Sequence, residues 1–283
     1  MVFYRTIHEF KTTQGIAKLY HYTLNCEGPS FLFIHGFGGS SEIWFRYPES
    51  LGNYLKEKGV DIWSLGFSKA KWGDIRRLAH EDLYSALRFI YLQNGMNPIR
   101  VIAHSIGGLI VRYLLAPHLF HPYSLDQAVL MLNGVTLLAT PNHGVNVFRY
   151  DKIWSVMNLL INHIKFNQLF VQILRYSDLI DLLNTEQHCL NPNIRWQNVI
   201  GIFDHIVDID SAKFNKTELS PDIDIIQKEF PVDHLEYPLK TVIAIFNDVY
   251  PAIHRYPPIA EWILEHLHYK DGRKDDTRDS VSN

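Results

Sequence analysis

The sequence predicts an α/β fold with a predominantly parallel central sheet and helices on both of its faces. Short apolar runs, such as residues 31–34 and 100–103, alternate along the chain with segments of helical periodicity. The runs are continuously apolar, which is typical of strands that are buried on both sides. The repeated order of strand and helix favours the crossover connections that parallel strands require.

The elements follow one another in a regular order. In the first half we predict a strand over 31–34, a helix between Pro48 and Gly59, a strand over 60–65, a helix over 75–90, a strand over 100–103, a helix from Ile106, and a strand over 129–138 interrupted at Asn133-Gly134. In the second half the sheet is predicted to resume at 198–203 and again near 223–226.

Composition excludes several classes of protein. The chain has 283 residues, of which 47% are hydrophobic and 20% charged, enough for one large apolar core. Its net charge of −3 argues against a nucleic-acid partner, which needs a basic face. Two distant cysteines give neither a disulfide framework nor metal-ligand spacing. We find neither an apolar run long enough to span a membrane nor a Sec signal peptide, so we expect a cytoplasmic protein.

The pattern changes near Asp151. Residues 153–174 contain one formal charge, Lys165, and their polar residues recur at helical spacing, which predicts amphipathic helices. We interpret residues 146–196 as a helical cap inserted into a single domain that spans residues 1–269. The charged segment 270–283 is predicted to be disordered.

Ser105 lies at the bend between a predicted strand and a predicted helix. The surrounding residues Ala103-His104-Ser105-Ile106-Gly107 fit the nucleophile-elbow pattern, in which a sharp strand-to-helix turn presents a serine hydroxyl above the sheet. Small residues two positions before and two positions after the serine let neighbouring backbone approach closely. The sequence therefore predicts that Ser105 is a nucleophile.

A nucleophilic serine needs a base, an orienting carboxylate and donors for the oxyanion. The glycine-rich stretch His35-Gly36-Phe37-Gly38-Gly39 directly follows a predicted strand. The backbone N–H groups of Phe37 and Ile106 are the predicted oxyanion-hole donors. This chemistry requires neither a metal nor an organic cofactor, and we predict none.

Three blocks resemble the α/β-hydrolase superfamily, specifically its lipase-like branch. The blocks "FIHGFGGS", "AHSIGG" and "LATPNHG" occur in the expected order, within a similarity that covers roughly residues 28 to 145. The resemblance implies an eight-stranded type of sheet, the chain order Ser-Asp-His for the catalytic triad, and a lid-type insertion after the third block.

The resemblance also guides the choice of the acid. Asp204 follows a predicted strand and precedes Ile206-Val207, which matches the family's pattern of strand, Asp, one residue and two β-branched residues. Asp208 and Asp210 are the alternatives, further from the end of the strand.

Two histidines are candidates for the base. His234 follows an alternating run, comes after Asp204 in the chain and precedes a helical pattern, as the family's catalytic histidine commonly does. His254 also precedes a terminal helical pattern and is the alternative. We favour His234.

We therefore expect a serine esterase or lipase that cleaves an acyl ester, with an aliphatic chain under the cap and possible transient contact with a lipid surface. An acyltransferase or thioesterase using the same triad, or a non-catalytic binding protein, remains open as an alternative. The sequence leaves the oligomeric state open.

Overall fold

In the computed structural model, the described residues are 6–13, 15–23, 28–68, 74–116, 125–145, 171–185, 190–215, 217, 219–234 and 251–266. Their central element is one eight-stranded sheet with the strand order β1-β2-β4-β3-β5-β6-β7-β8. The strands are β1 Thr6–Thr12, β2 Gly15–His21, β3 Ser30–Ile34, β4 Asp61–Gly66, β5 Ile99–His104, β6 Leu132–Leu138, β7 Trp196–Gly201 and β8 Ile225–Phe230.

The sheet is predominantly parallel, which confirms the predicted fold class. Pairing is parallel from β4 through β8, whereas β2 is antiparallel to both β1 and β4. The strands β1 and β2 were not predicted from the sequence. In β2 the buried residues Ala17 and Leu19 alternate with more exposed neighbours.

Helices cover both faces of the sheet. They are α1 Leu51–Glu57, α2 Ile75–Arg77, α3 Tyr84–Gln93, α4 Ile106–Leu115, α5 Leu125–Leu130, α6 Asp178–Asn184, α7 Ile209–Ala212 and α8 Pro257–Glu265, with a π-helical segment over Leu78–Leu83 that joins α2 to α3. Alternate residues of β3 enter two cores. Leu32 and Ile34 pack in the core shared with α3 and α4, and Phe31 and Phe33 in the core shared with α1 and α8.

The predicted strand over 129–138 was wrong at its beginning, because Val129 and Leu130 belong to α5. β6 begins at Leu132, which pairs with Ile99 of β5. The residues before Leu132 form the end of α5, the helix that precedes β6 in the crossover connection. The predicted interruption is a bulge: the register shifts between Ile99 and Arg100, so that Arg100 pairs with Gly134. β7 also starts and ends two residues earlier than predicted.

The predicted cap is only partly described. Most of it, and the predicted disordered segment 270–283, lie outside the described residues. Leu174, in the described part of the cap, forms an isolated parallel bridge with Val145, which directly precedes the cap, and α6 follows Leu174 in the chain. The Gln172 side chain accepts a hydrogen bond from the N–H of Ile75 at 3.0 Å, which joins this segment to the start of α2.

A buried arginine on α4 binds the end of this segment. The Arg112 guanidinium, on α4, donates to the carbonyl of Asn142 at 3.0 Å and to that of Leu183 at 2.7 Å. The Asn142 side chain donates to the carbonyl of Ala212 at 2.6 Å. The block "LATPNHG" therefore connects α4, α6 and α7 through buried hydrogen bonds.

Candidate active site

Ser105 occupies the sharp turn between β5 and α4. Its backbone has φ 56° and ψ −130°, a combination that non-glycine residues rarely adopt and that stores strain. The N–H of Ser105 donates to the carbonyl of Leu138 on β6 at 2.8 Å, and the N–H of Gly108 donates to the carbonyl of Ser105 at 3.0 Å. These bonds hold the turn in the geometry of a nucleophile elbow.

The two glycines after the serine are needed for close packing. A Cβ on Gly107 would lie 2.8 Å from the carbonyl oxygen of His35, and a Cβ on Gly108 would lie 1.9 Å from Oγ1 of Thr140. The start of α4 thus lies directly against the end of β3. Because α4 is a ten-residue helix that begins at Ile106, its N-terminal dipole is directed toward the serine.

The glycine-rich loop after β3 packs on the serine itself. A Cβ on Gly36 would lie only 2.7 Å from Cβ of Ser105 and 3.1 Å from Nδ1 of His104. Gly38 has φ 66°, and the N–H of Gly39 donates to the carbonyl of Gly36 at 3.2 Å. This tight turn brings Phe37, one of the two residues predicted to form the oxyanion hole, next to the elbow.

Buried His35 fixes the start of the same loop. Its Nδ1 is 2.8 Å from the carbonyl oxygen of Gly36, and because a carbonyl only accepts, Nδ1 carries the proton. Burial lowers the pKa of His35 to about 4. His35 is therefore neutral at physiological pH and shapes the loop.

The structure brings together the three residues predicted to form the triad. Nε2 of His234 is 2.9 Å from Oγ of Ser105, and Nδ1 of His234 is 2.8 Å from Oδ2 of Asp204. The other Asp204 oxygen accepts from the N–H groups of Ile206 at 2.8 Å and Val207 at 2.7 Å. The side chains of His234 and Asp204 are 3% and 1% exposed, so little water competes for this chain of hydrogen bonds.

The alternative acid Asp208 has a different role in the structure. Its carboxylate accepts a hydrogen bond from the N–H of Ser211 at 2.8 Å and caps the start of α7. Asp210 lies within the first turn of that helix.

The alternative base His254 lies near the site without joining the hydrogen-bonded chain. It is buried in the short 3-10 helix Ile253–Arg255, and its ring centroid is 6.5 Å from that of His104. Its Nδ1 has no hydrogen-bond partner within the part of the chain that the structure describes. Burial, together with the charges of His234 and Arg46, lowers the pKa of His254 to about 4.

His104 is the third imidazole at this point. Its ring centroid is 4.6 Å from that of His234, and burial, together with the His234 and His254 imidazoles, holds its pKa well below the usual range. His104 and His254 are consequently uncharged at neutral pH. A positive charge that forms on His234 therefore meets no cation on either neighbouring ring.

Two polar residues beside the predicted triad, His205 and Asp233, were not predicted from the sequence. Asp233 precedes His234, and its Oδ2 is 2.8 Å from Nδ1 of His205, the residue after Asp204. The available signal was the dipeptide Asp-His, which occurs at both 204–205 and 233–234.

Neither a metal site nor a membrane-spanning segment is found in the described ranges. There, no three His, Cys, Asp or Glu side chains are grouped closely enough to hold a metal ion. Nor does any helix in those ranges combine the length and hydropathy needed to cross a bilayer.

One family model matches part of the chain. The family model for the alpha/beta hydrolase fold matches residues 29–156. No curated protein sequence matches the chain significantly. The sheet order and the family match show that the chain has the α/β-hydrolase fold.

Several solved structures share the fold. The mature lipase BlEst2 of Bacillus licheniformis is 15% identical, with 73% of this chain and 85% of that chain covered and a TM-score of 0.55. A highly thermostable carboxyl esterase of Bacillus coagulans, in complex with glycerol, is 14% identical, with coverages of 92% and 98% and a TM-score of 0.55. An alpha-beta serine hydrolase homologue of Coxiella burnetii is 14% identical, with coverages of 94% and 99% and a TM-score of 0.55.

Proposed function

We propose that this protein is a serine hydrolase that cleaves carboxylic esters, with acyl lipids as its substrate class. The observation that carries the proposal is the buried chain of hydrogen bonds from Ser105 through His234 to Asp204, at 2.9 and 2.8 Å. Three side chains of these types in this order are what an activated serine nucleophile requires.

The reaction proceeds through an acyl-enzyme. Nε2 of His234 takes the proton of the Ser105 hydroxyl while Oγ forms a bond to the ester carbonyl carbon. The tetrahedral intermediate collapses, and the imidazolium gives the proton to the departing alkoxide. Water, deprotonated by the same imidazole, then attacks the acyl-enzyme. The bond between the acyl carbon and Oγ breaks, the imidazolium returns its proton to Oγ, and the carboxylic acid leaves.

Asp204 keeps the imidazole in the productive tautomer. Its Oδ2 accepts from Nδ1–H of His234, which leaves Nε2 as the acceptor that faces the serine. The N–H groups of Ile206 and Val207 hold the other oxygen, so the carboxylate keeps its orientation while the histidine is charged.

The backbone N–H groups of Phe37 and Ile106 stabilise the oxyanion. Ile106 is the first residue of α4, directly after the serine. Phe37 follows Gly36, whose Cα is so close to Ser105 that a Cβ there would clash. Removing one such donor in a serine hydrolase costs about 10²–10³ in kcat.

An aliphatic acyl group is the favoured substrate portion. The predicted amphipathic cap follows the third motif block, and its described end is bridged to Val145 at the margin of that block. A cap with an apolar face suits a substrate with an aliphatic chain and accommodates brief contact with a lipid surface. Two proteins that share the fold are a lipase and a carboxyl esterase.

A fluorophosphonate probe tests the nucleophile, because it reacts covalently with an activated serine. We expect the wild type to be labelled and Ser105→Ala to be unlabelled. Ser68→Ala is the control, since Ser68 is also buried and its hydroxyl has no partner within the described residues. Labelling that persists in Ser105→Ala would contradict the proposal.

A series of p-nitrophenyl esters tests the substrate class. With an apolar acyl site, kcat/KM rises from acetate to octanoate, because each buried methylene contributes about 0.8 kcal/mol. A preference for acetate would reject the acyl-lipid assignment while leaving the esterase assignment intact.

A further inference from the structure

Two Asp-His dipeptides pair reciprocally beside the serine. Asp204 and His205 follow β7, and Asp233 and His234 follow β8. The Asp204 carboxylate binds the His234 ring at 2.8 Å, and the Asp233 carboxylate binds the His205 ring at 2.8 Å. Each loop therefore supplies one carboxylate and one imidazole to the other loop.

The Asp233 carboxylate also binds the backbone of both loops. Its Oδ1 accepts from the N–H of His205 at 3.2 Å and from the N–H of His234 at 2.6 Å. Asp233 is 5% exposed, so these are buried, charge-assisted hydrogen bonds. One carboxylate thus fixes the backbone beside the proposed acid and beside the proposed base.

The paired dipeptides lie just beyond the point where the strands stop pairing. The last hydrogen bonds between the two strand ends run from the N–H of Ile202 to the carbonyl of Phe230 at 3.0 Å and from the N–H of Phe203 to the carbonyl of Val232 at 3.3 Å. Past these residues the sheet no longer sets the distance between the loops. Beyond this point, the hydrogen bond between Asp233 and His205 connects the two loops in place of backbone pairing.

The backbone of Asp233 is anchored on its other side as well. Its N–H donates to the carbonyl of Pro251 at 3.0 Å, and its carbonyl accepts from the N–H of Ile253 at 2.8 Å. Asp233 is therefore held by the segment that leads into α8. Its carboxylate in turn binds His205 on the Asp204 loop, so the loop is connected to that segment.

We propose that Asp233, paired with His205, is a positioning residue that sets the distance between Asp204 and His234. This inference rests on the proposed function, in which that hydrogen bond orients the base. A displacement of about 1 Å in a catalytic group costs about 10²-fold in rate, so loss of the pair reduces the chemical step more than substrate binding.

The test uses the full chain and four variants. Asp233→Ala removes every bond of the carboxylate, Asp233→Asn retains an acceptor for the two N–H groups, and His205→Phe removes the ring donor. The fourth variant combines Asp233→Ala with His205→Phe. Glu229→Gln, which removes an exposed charge that pairs with Lys213 on the neighbouring segment, is the control.

We expect Asp233→Ala to lower kcat for a p-nitrophenyl ester by about 10- to 100-fold, with KM changed less than about threefold. Asp233→Asn and His205→Phe lose less, and the double variant is no worse than Asp233→Ala, because the pair acts as a unit. Glu229→Gln behaves as wild type.

A second readout does not depend on turnover. The Nδ1–H proton of His234, assigned by its absence in His234→Ala, gives a low-field NMR resonance because Asp204 accepts it. We expect this resonance to shift or broaden in Asp233→Ala. Should that variant fail to fold, the same readouts on Asp233→Asn and His205→Phe decide the question.

A fall in melting temperature with unchanged kcat and an unmoved resonance would show that the pair only braces the loops, and would overturn the proposal. If the wild type neither cleaves esters nor reacts with the fluorophosphonate, the proposed function is wrong. The resonance then still decides the inference about Asp233: movement supports it and an unmoved signal overturns it.

Discussion

The elbow and the acid–base loops hold their functional groups by different means. Ser105 is fixed within one continuous segment, by the strained turn that β5 and α4 force on it. Asp204 lies on the loop after β7 and His234 on the loop after β8, and hydrogen bonds between side chains and backbone hold them. The elbow depends on backbone geometry, whereas the acid–base corner depends on a few buried polar contacts.

This difference determines how each region fails. A change at the elbow that adds even one carbon atom meets backbone or buried side chains at short range. A change at the acid–base corner removes a hydrogen-bond partner without adding an atom to a closely packed turn. Substitutions at the elbow therefore test packing, and substitutions at the acid–base corner test the contribution of hydrogen-bonded groups to activity.

The largest expected effect is at the proposed base. His234→Ala lowers kcat/KM by about 10⁴-fold or more, because Ser105 then has no proton acceptor. His254→Phe is the matched variant, and it retains activity because His254 has no hydrogen bond to the triad. Steady-state kinetics on one ester compare the two. If His254→Phe were inactive and His234→Ala were active, His254 and not His234 would be the base.

The proposed acid should give the next largest effect. Asp204→Asn lowers kcat by about 10³- to 10⁴-fold, because the amide reverses the tautomer of His234 while the acceptor for Ile206 and Val207 is retained. Asp208→Asn is the control, since asparagine caps a helix as well as aspartate does. Equal losses in both variants would mean that Asp204 has no special part in the reaction.

A smaller loss is expected in the glycine-rich loop. Gly36→Ala places a Cβ 2.7 Å from that of Ser105, so the loop moves and the Phe37 donor moves with it. We expect kcat to fall by about 10²-fold. Gly59→Ala is the control, because it adds only backbone strain at φ 79° with no atom within 4 Å of the new Cβ. It lowers the melting temperature and leaves kcat unchanged.

The smallest expected effect lies outside both regions, at Asp82 in the π-helical segment. Burial raises the pKa of Asp82 from 3.8 to about 6, so the folded chain binds this proton more tightly than the unfolded chain. The resulting stabilisation is present below pH 3.8 and is lost as the pH rises through 6.

Asp82→Asn removes that dependence on pH. The change in the free energy of unfolding, variant minus wild type, should be more positive at pH 8 than at pH 5 by about 1 kcal/mol. Urea denaturation at the two pH values measures the difference. An effect that is the same at both would show that the Asp82 carboxyl is not destabilised by its burial.

The parallel strands of the sheet and the elbow could be predicted because their signals are local. Apolar runs such as 31–34 and 100–103 identify strands that are buried on both faces, and the residues around Ser105 fit a short turn pattern between a strand and a helix. The strand predicted from Val129 began too early, because its start is set by the register against Ile99 on another strand. No local pattern contains that information.

The sequence by itself determined the fold class, the position of the elbow and the candidates for the triad, because periodicity and turn chemistry act over a few neighbouring residues. Only the tertiary structure decided which imidazole faces Ser105 and which carboxylate faces that imidazole. His234 and His254 follow similar patterns in the chain, but only His234 has a carboxylate on one side and the serine on the other. Distances between residues far apart in sequence depend on strand register and loop contacts, which no short segment specifies.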